Sequence, residues 1–583
     1  MNNQNAGGQN HPVHYNPAQP VTPPQQVYQQ PVRPQPVQSV PQPVRPVYQQ
    51  PAVQQILQVQ QIPEYNIQAK SAIASMNKAL FVLLSVLFGW ICSRSLLSGH
   101  VGLGMSVMGL SFFLIYIPFI LTRQKKNVPL SGWLLFIPQI ILLASFSFFS
   151  DLRVVFIGLI ASFIIAAIQT TLISNCTTGK PFSFELICDT CISFLAMPFM
   201  NMGTTVMGIF FGKDKSKKKD KNALKIAIGA AISLPVVFIL ITMFAFADEM
   251  FARWVNNILT MLNLNFFRIL TDILLTIIVM LYVMPLVVSL RSGYHKPYDH
   301  KLSRRLLDPI IVSTVLFASS VVYLVFVAVQ FTYLFAVLGS LPDGLTLAEY
   351  SRRGFFELVF VIVITTVLIA AVCMLTKNNQ HDRLPVYVKI PLLIITASNA
   401  VMIVSAARRL IIYISEYNMT VSRFNAAVLI GLMAVVVVVV ALRIIFDRIS
   451  VSAVVGSILA LTAAAYCICN VDGLVAKYNV DRYLANPDAI DVAYLSENLS
   501  VAAIPQLERL MNEAPNQRVK TLAQKGIAHI ADRNDLFRGD ESRISRWTLD
   551  RQVAVNILEK NNITKQMAND YWSYYWSDDE NDL

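Results

Sequence analysis

The chain has 583 residues, a formal net charge of +12, 55% hydrophobic residues and only 14% charged ones. A soluble domain carries nearer a quarter charged residues, so this balance, with a mean hydropathy of +0.52, excludes an ordinary soluble protein and predicts an all-α, polytopic integral membrane bundle. The excess of cations belongs to short loops between apolar spans; no nucleic-acid recognition motif accompanies it, so no nucleic-acid partner is expected.

Residues 1–76 read as a cytoplasmic, disordered tail rich in Pro and Gln. Arg33, Arg45, Glu64 and Lys70 are almost its only charges. Such a segment cannot bury enough apolar surface to offset its chain entropy, so disorder with local polyproline II is expected. Val-Tyr-Gln-Gln-Pro starts at Val27 and recurs at Val47; Gln-Pro-Val-Arg-Pro starts at Gln30 and recurs at Gln42. The Pro-Val-Arg-Pro units fit a PxxP ligand, which makes a cytoplasmic protein a possible partner. A solvated spacer is the plainer reading. No cleavable signal peptide is visible, and the first span is expected to act as an uncleaved insertion signal.

Residues 77–471 form the transmembrane domain, with the lipid bilayer as its first partner. Eleven spans are read at roughly 79–97, 102–121, 130–149, 152–174, 224–247, 266–290, 309–337, 355–375, 389–412, 422–446 and 451–471. Residues 181–212 carry Glu185, Asp189 and Pro198 and look like an interfacial or re-entrant pair. The loops alternate in charge. Arg123, Lys125 and Lys126 follow the second span, six lysines from Lys213 to Lys221 follow the fourth, and Arg291 to Arg305 follow the sixth. By the positive-inside rule these loops and the N-terminus are cytoplasmic, which puts the C-terminal part outside. A single crossing at 181–212 would invert the later loops.

One cluster opposes that signal. Glu349, Arg352, Arg353 and Glu357 precede or open the eighth span, Arg408, Arg409 and Glu416 end the ninth, and Arg423 opens the tenth. Five arginines meet three glutamates on the outer side. The plainer reading is a salt-bridge network, in which Arg353 and Glu357 share a helix face. The functional reading uses the surplus arginines to bind an anionic lipid or envelope polymer through bidentate contacts. Asp272, one turn after Arg268, is expected to pair locally, with a proton relay as the sharper alternative.

Residues 472–583 change to a polar-faced helical pattern and read as a small extracytoplasmic helical domain. Ile504, Leu507, Leu510 and Met511 mark one helix, Leu522, Ile527 and Ile530 a second, and Val553, Val555, Ile557 and Leu558 a third. The tail Tyr571 to Glu580 mixes aromatics with acids and would rest at an interface, touch a sugar-bearing partner or pack on its own domain.

No catalytic residue, metal site or cofactor site is read from the sequence. The seven histidines form no HExxH, no GxSxG or P-loop is present, and Cys188 and Cys191 make a lone CxxC.

The segment Ala348 to Leu358, Ala-Glu-Tyr-Ser-Arg-Arg-Gly-Phe-Phe-Glu-Leu, resembles the Tyr-Ala-Arg-Arg-Gly-Phe-Phe-Glu-Leu signature of a bacterial multi-pass family, domain of unknown function 4173, which has a sibling numbered 4153. Gln330 to Phe335, Tyr413 to Arg423, Asn479 to Tyr483 and Asp491 to Leu495 are similar to further segments of it, with Asn418-Met419 standing where Gly-Leu is usual. The resemblance implies a bacterial cytoplasmic-membrane location and brings no activity. The leading expectation is a non-enzymatic envelope sensor, scaffold or regulator. A transporter or lipid-handling protein using the arginines, and a membrane enzyme acting on a lipid-linked substrate, are the alternatives.

Overall fold

The computed structural model describes residues 64–97, 102–122, 128–177, 184–210, 246–261, 266–293, 307–336, 355–376, 384–446, 450–487, 490–538 and 546–575, with scattered positions from 233 to 244. Met1–Gln61 and Ile62–Leu583 are separate units. The repeats of the tail, most of the expected span 224–247, Arg352 and Arg353 lie outside the described residues.

Helix is the regular structure throughout the described residues, with one isolated bridge between Leu307 and Thr376. In hydrocarbon every backbone donor must be satisfied within its own segment, and a helix does this. Eleven described helices are long and apolar enough to cross a membrane. A short helix, α1 (Glu64–Ala74), precedes them. Then come α2 (Lys78–Leu96), α3 (Leu103–Leu121), α4 (Leu130–Phe148) and α5 (Leu152–Ile173). The next apolar stretch is α6 (Phe184–Cys191) and α7 (Met197–Phe210), joined by a π-helical turn, Ile192–Ala196. After α8 (Glu249–Met261) follow α9 (Phe266–Ser292), α10 (Pro309–Ala336), α11 (Phe355–Leu375), α12 (Val386–Tyr417), α13 (Val421–Ile445) and α14 (Val451–Ile468). Side chains start several of them: Asn77 accepts from the Leu80 amide, Asp151 from that of Arg153, and Thr420 from that of Arg423. The 32 residues of α12 make about 48 Å of helix, more than the core of a bilayer requires.

Contacts sort the helix ends into two faces. On the upper face the C-terminal helices touch the start of α3, the α4–α5 turn and the α12–α13 turn. On the lower face Arg291 reaches Ala72, Ser75, Phe119 and Thr122, and the Cys176 thiol donates to the Leu290 carbonyl at 3.6 Å. Leu307, Leu375, Ser313 and Tyr387 meet on this face too.

The α6–α7 stretch is one helical path: the backbone stays helical on both sides of the π-turn, and Glu185–Phe210 is among the eleven stretches long and apolar enough to cross. Asp189, in α6, adds to burial in pushing the Cys176 thiol up to about 12. Phe194, at the π-turn, packs edge-on against Phe163 and accepts from the Tyr282 hydroxyl at 2.9 Å. Both partners lie ten residues from the lower end of their helices, about 15 Å deep. Further on, Asn201 donates to Ser289 at 2.9 Å, and Lys78 donates to the Gly208 carbonyl at 2.9 Å, so the helix ends at the lower face. Asp189, Ser193, Asn201 and Thr205 are buried along it.

The spans pack as two halves. In the first, Phe81, Phe88, Tyr116, Phe146 and Met284 belong to one core. Gly89 lets α2 approach α9: a Cβ there would stand 2.9 Å from the Thr276 carbonyl oxygen. In the second, α10 to α13 pack around Leu316, Val388, Ile395, Met402 and Val440. Helix α14 packs on α4 and α5 through Ala460, Ala464 and Cys467 and meets α13 on its other side.

Two buried charges differ from their expected roles. Asp272 does not rely on Arg268; it pairs with Arg94 of α2 at 3.0 Å and accepts from Ser93 at 2.6 Å. Arg291, read as a loop cation, is 3% exposed. Its guanidinium donates to the carbonyls of Ala72, Ser75 and Phe119 and to both hydroxyls, Ser75 and Thr122. These oxygens lie at the C-terminal ends of α1 and α3, where the partial negative charge of the helices offsets the cation. Residues 64–74, expected as the end of a disordered tail, are therefore a helix held to the bundle, with Ala69, Ala72 and Ile73 buried.

The C-terminal helices are α15 (Val471–Ala485), α16 (Val492–Glu497), α17 (Ile504–Glu513), α18 (Gln517–Arg533), α19 (Leu549–Lys560), α20 (Lys565–Asn569) and α21 (Tyr571–Tyr575). Ile504, Leu507, Leu510, Leu522, Ile527 and Ile530 enter their core as the spacing predicts, and so do Ile557 and Leu558. Val553 faces outward. The start of the aromatic tail packs on its own domain: Tyr571 is fully buried and stacks on His529 with ring centroids 4.9 Å apart, and Trp576 to Glu580 lie outside the described residues.

Glu508 ties α17 to the end of α19. Partial burial pushes its carboxyl up, but hydrogen bonds from Asn561 and Lys560, both at 2.9 Å, outweigh this and hold it below the ordinary value of 4.5. A carboxyl lowered by folding stabilises above its unfolded pKa and loses that contribution as pH falls through the folded one. Glu508→Gln is expected to flatten the acid limb of the thermal-stability profile below about pH 4.5. An unchanged acid limb would remove this pair from the account.

Candidate functional site

The candidate site is the seam where the C-terminal helices meet the upper face, with the arginine cluster beside it. Each grip on the seam is built from a short segment between helices. Leu103, at the start of α3, donates its amide to the Trp547 carbonyl at 3.0 Å. Gly102 is needed just before it, since a Cβ there would lie 2.8 Å from the Trp547 carbonyl oxygen. In the α4–α5 turn, the amide and hydroxyl of Ser150 both donate to Asp550 at 2.8 Å. Arg153, which opens α5, pairs with Asp151 at 3.1 Å and with both oxygens of Asp472 at 2.7 Å.

Asp472 is 2% exposed. Burial, and then the neighbouring Asp151 carboxylate, raise its carboxyl above the ordinary carboxylate range; the Ser500 amide, 2.7 Å away, and Arg153 pull it back. Asn470 sets its position. Held at φ 48°, Asn470 turns the chain between α14 and α15 and accepts from the Gly473 amide at 3.0 Å.

The α12–α13 turn is gripped as a strand would be. The Asn479 side chain accepts from the Met419 amide at 2.9 Å and donates to the Met419 carbonyl at 2.8 Å. The Tyr494 hydroxyl accepts from the Val421 amide at 2.8 Å. Asn418, where the resembled family has glycine, stands at φ 65°. With ψ at 174°, this is a conformation that essentially only glycine adopts without strain. Asn418→Gly is expected to raise stability by about 1 kcal/mol, and Asn418→Val to lower it by about 1–2 kcal/mol. Equal melting temperatures for the two variants would contradict the turn geometry.

Of the sequence-predicted cluster, Arg352 and Arg353 lie outside the described residues. Glu357 and Glu416 are exposed, whereas Arg408 and Arg409 are half-buried two to three turns before the end of α12. Arg423 has a local task. It donates to the carbonyls of Tyr417 and Asn418, closing the end of α12, and its guanidinium lies 4.1 Å from the centre of the Tyr413 ring. Sequence reading missed the roles of Arg153, Asp472, Asn479 and Asp550. Asp472 carried a signal as an acid directly after a span, and Asn479 as the start of a segment similar to the resembled family.

A cavity of about 300 Å³ opens at the same seam, lined by Asn418, Ile490, Asp491, Val492, Arg518, Val519, Leu522 and Tyr575. No group of three or more metal-ligating side chains occurs among the described residues.

The model of the family described as domain of unknown function DUF4153 matches residues 133–510. The chain belongs to this family. No curated protein and no solved structure matches it. The DUF4153 region opens within α4 and closes within α17, so it contains Arg153, Asp472, Asn479, Tyr494 and the α12–α13 turn. Asp550 and Trp547 lie beyond it, as do the α1–α3 segments that Arg291 holds.

Proposed function

We propose that this DUF4153 member is a non-enzymatic sensor or scaffold of the bacterial cell envelope, in which the C-terminal domain reads the outer side and passes its state to the spans. One observation carries the reading: the domain grips turns from both halves of the bundle, through Ser150 and Arg153 in the first and Met419 and Val421 in the second. A domain that was merely tethered would need no such grip.

The orientation rests on charge. Arg123, Lys125 and Lys126 connect lower helix ends, the Lys213–Lys221 run follows the lower end of α7, and Lys296, Lys301, Arg304 and Arg305 precede α10. This balance favours a cytoplasmic lower face in the cytoplasmic membrane. The Pro-Val-Arg-Pro tail would then offer an inner partner surface. A lipid-handling reading is favoured by Arg408 and Arg409, whose place within α12 suits an anionic headgroup.

The test compares three chromosomal variants under envelope stress, each checked for membrane abundance: deletion of residues 1–61, deletion of 472–583, and Arg408→Gln/Arg409→Gln. A sensor or scaffold loses its phenotype in a deletion and keeps it in the arginine variant. The reverse pattern would replace it with lipid handling.

A further inference from the structure

The seam cavity is bounded by both partners of the seam. Asn418 comes from the α12–α13 turn; the remaining lining comes from the C-terminal domain. Its volume, about 300 Å³, is at the small end of ligand sites, so it suits a metabolite rather than a chain segment. Its chemistry is divided. Ile490, Val492, Val519 and Leu522, all buried in the domain core, form its aliphatic floor, while the exposed Asp491 and the half-buried Arg518 bring one charge of each sign at its rim and Asn418 and Tyr575 bring uncharged polar groups.

The polar groups are anchored from behind. Asp491 caps α16, its Oδ1 accepting from the Tyr494 amide at 2.7 Å, and the Tyr494 hydroxyl in turn holds Val421. Arg518 is fixed through its backbone: its amide, in the first turn of α18, donates to the Asn516 cap. Asn418 is fixed by its turn, and Tyr575 packs on Tyr571 and Trp572. A ligand on Asp491 or Asn418 touches groups whose supports run to the α12–α13 turn.

We propose that this cavity is a binding site for a free aliphatic α-amino acid, the ligand of the sensor described above. The α-carboxylate is recognised by Arg518, the α-ammonium by Asp491, and the side chain by the aliphatic wall. A neutral sugar would leave the aliphatic wall against hydroxyls, and an inorganic anion would leave both that wall and Asp491 without a complement. The ligand identity rests on the sensor reading only for its purpose; binding itself does not depend on it.

The experiment uses the full chain in detergent, titrated calorimetrically with L-leucine, L-valine, N-acetyl-leucine amide, the dipeptide Gly-Leu, N-acetylglucosamine and inorganic phosphate. Leucine or valine is expected to bind. N-acetyl-leucine amide, which has neither charge, and Gly-Leu, whose charges are a peptide unit further apart, are expected to bind at least about tenfold more weakly. Asp491→Asn, which keeps the helix cap, and Arg518→Gln are each expected to weaken leucine binding by about tenfold or more, and Lys525→Gln to leave it unchanged. Absence of leucine and valine binding, preference for the sugar or phosphate, or unchanged binding in both site variants would overturn the assignment. Hydrogen exchange on the same samples separates the two readings. Slower exchange in 417–423 as well as in 490–522 on leucine addition supports both, whereas protection confined to 490–522 keeps the ligand and removes the coupling.

Discussion

Arg291→Met is expected to cost about 3–5 kcal/mol and to release α1 from the bundle. The guanidinium satisfies the carbonyls of Ala72, Ser75 and Phe119 and the hydroxyls of Ser75 and Thr122. Each buried acceptor left without a donor costs about 1–3 kcal/mol, and water entering from the lower face recovers part of the sum. Methionine keeps much of the length and apolar stem, so the loss reports the hydrogen bonds rather than a cavity. Arg291→Lys should recover only a minority of it, because an ammonium group cannot place a planar fork between two helix ends. Thermal unfolding in detergent and limited proteolysis near Ser75–Asn77 measure the two effects. A methionine variant that melts within about 1 kcal/mol of wild type, with the Ser75–Asn77 connection still protected, would show that the clamp is dispensable.

At the seam, Arg153→Met is expected to be worse alone than together with Asp472→Asn. Asp472 is buried where ionisation is unfavourable, and it keeps its charge through Arg153 and the Ser500 amide. Removing only the arginine leaves an uncompensated carboxylate, which costs about 2–3 kcal/mol when the lost partner was itself partly solvated. Asparagine can still accept from Ser500 and carries no charge, so the double variant should regain about 1–2 kcal/mol. Protonation has the same sense. A carboxyl raised by folding favours the folded state at low pH and loses that contribution as pH rises through its folded pKa. The Arg153→Met variant should therefore be less impaired in acid than at neutral pH, and the double variant should lack this dependence. Additive costs in a double-mutant cycle, or a pH-independent defect, would mean that the pair does not hold the seam.

The apolar spans were legible because length and hydropathy suffice to specify a helix in lipid. The irregularity of 181–212 was legible in part: Asp189 and Pro198 within one apolar stretch set it apart, and the helix there carries a π-turn just before Pro198. Arg291 was not legible, since its partners are backbone carbonyls, which leave no mark in a sequence. Local spacing misled at Asp272. Arg268 stands at i−4, but Arg94 on the adjacent helix holds the carboxylate. Arg423 was legible as an oddly placed cation, yet its use in closing α12 depends on the turn at Asn418. The seam was hidden because Arg153 and Asp472 are 319 residues apart.

The grip of one rigid domain on both halves has a mechanical consequence. The two halves of the bundle are pinned together at the leaflet that carries the domain. Stretching that leaflet loads the Ser150–Asp550 and Met419–Asn479 contacts in shear, and they must yield before the halves part there. At the opposite surface the first residues of α14, Val451 and Val455, pack against the core that Val440 and Ile444 of α13 enter, while the rest of α14 lies on α4 and α5. The two halves are therefore tied near both surfaces, by polar contacts at one and by apolar packing at the other.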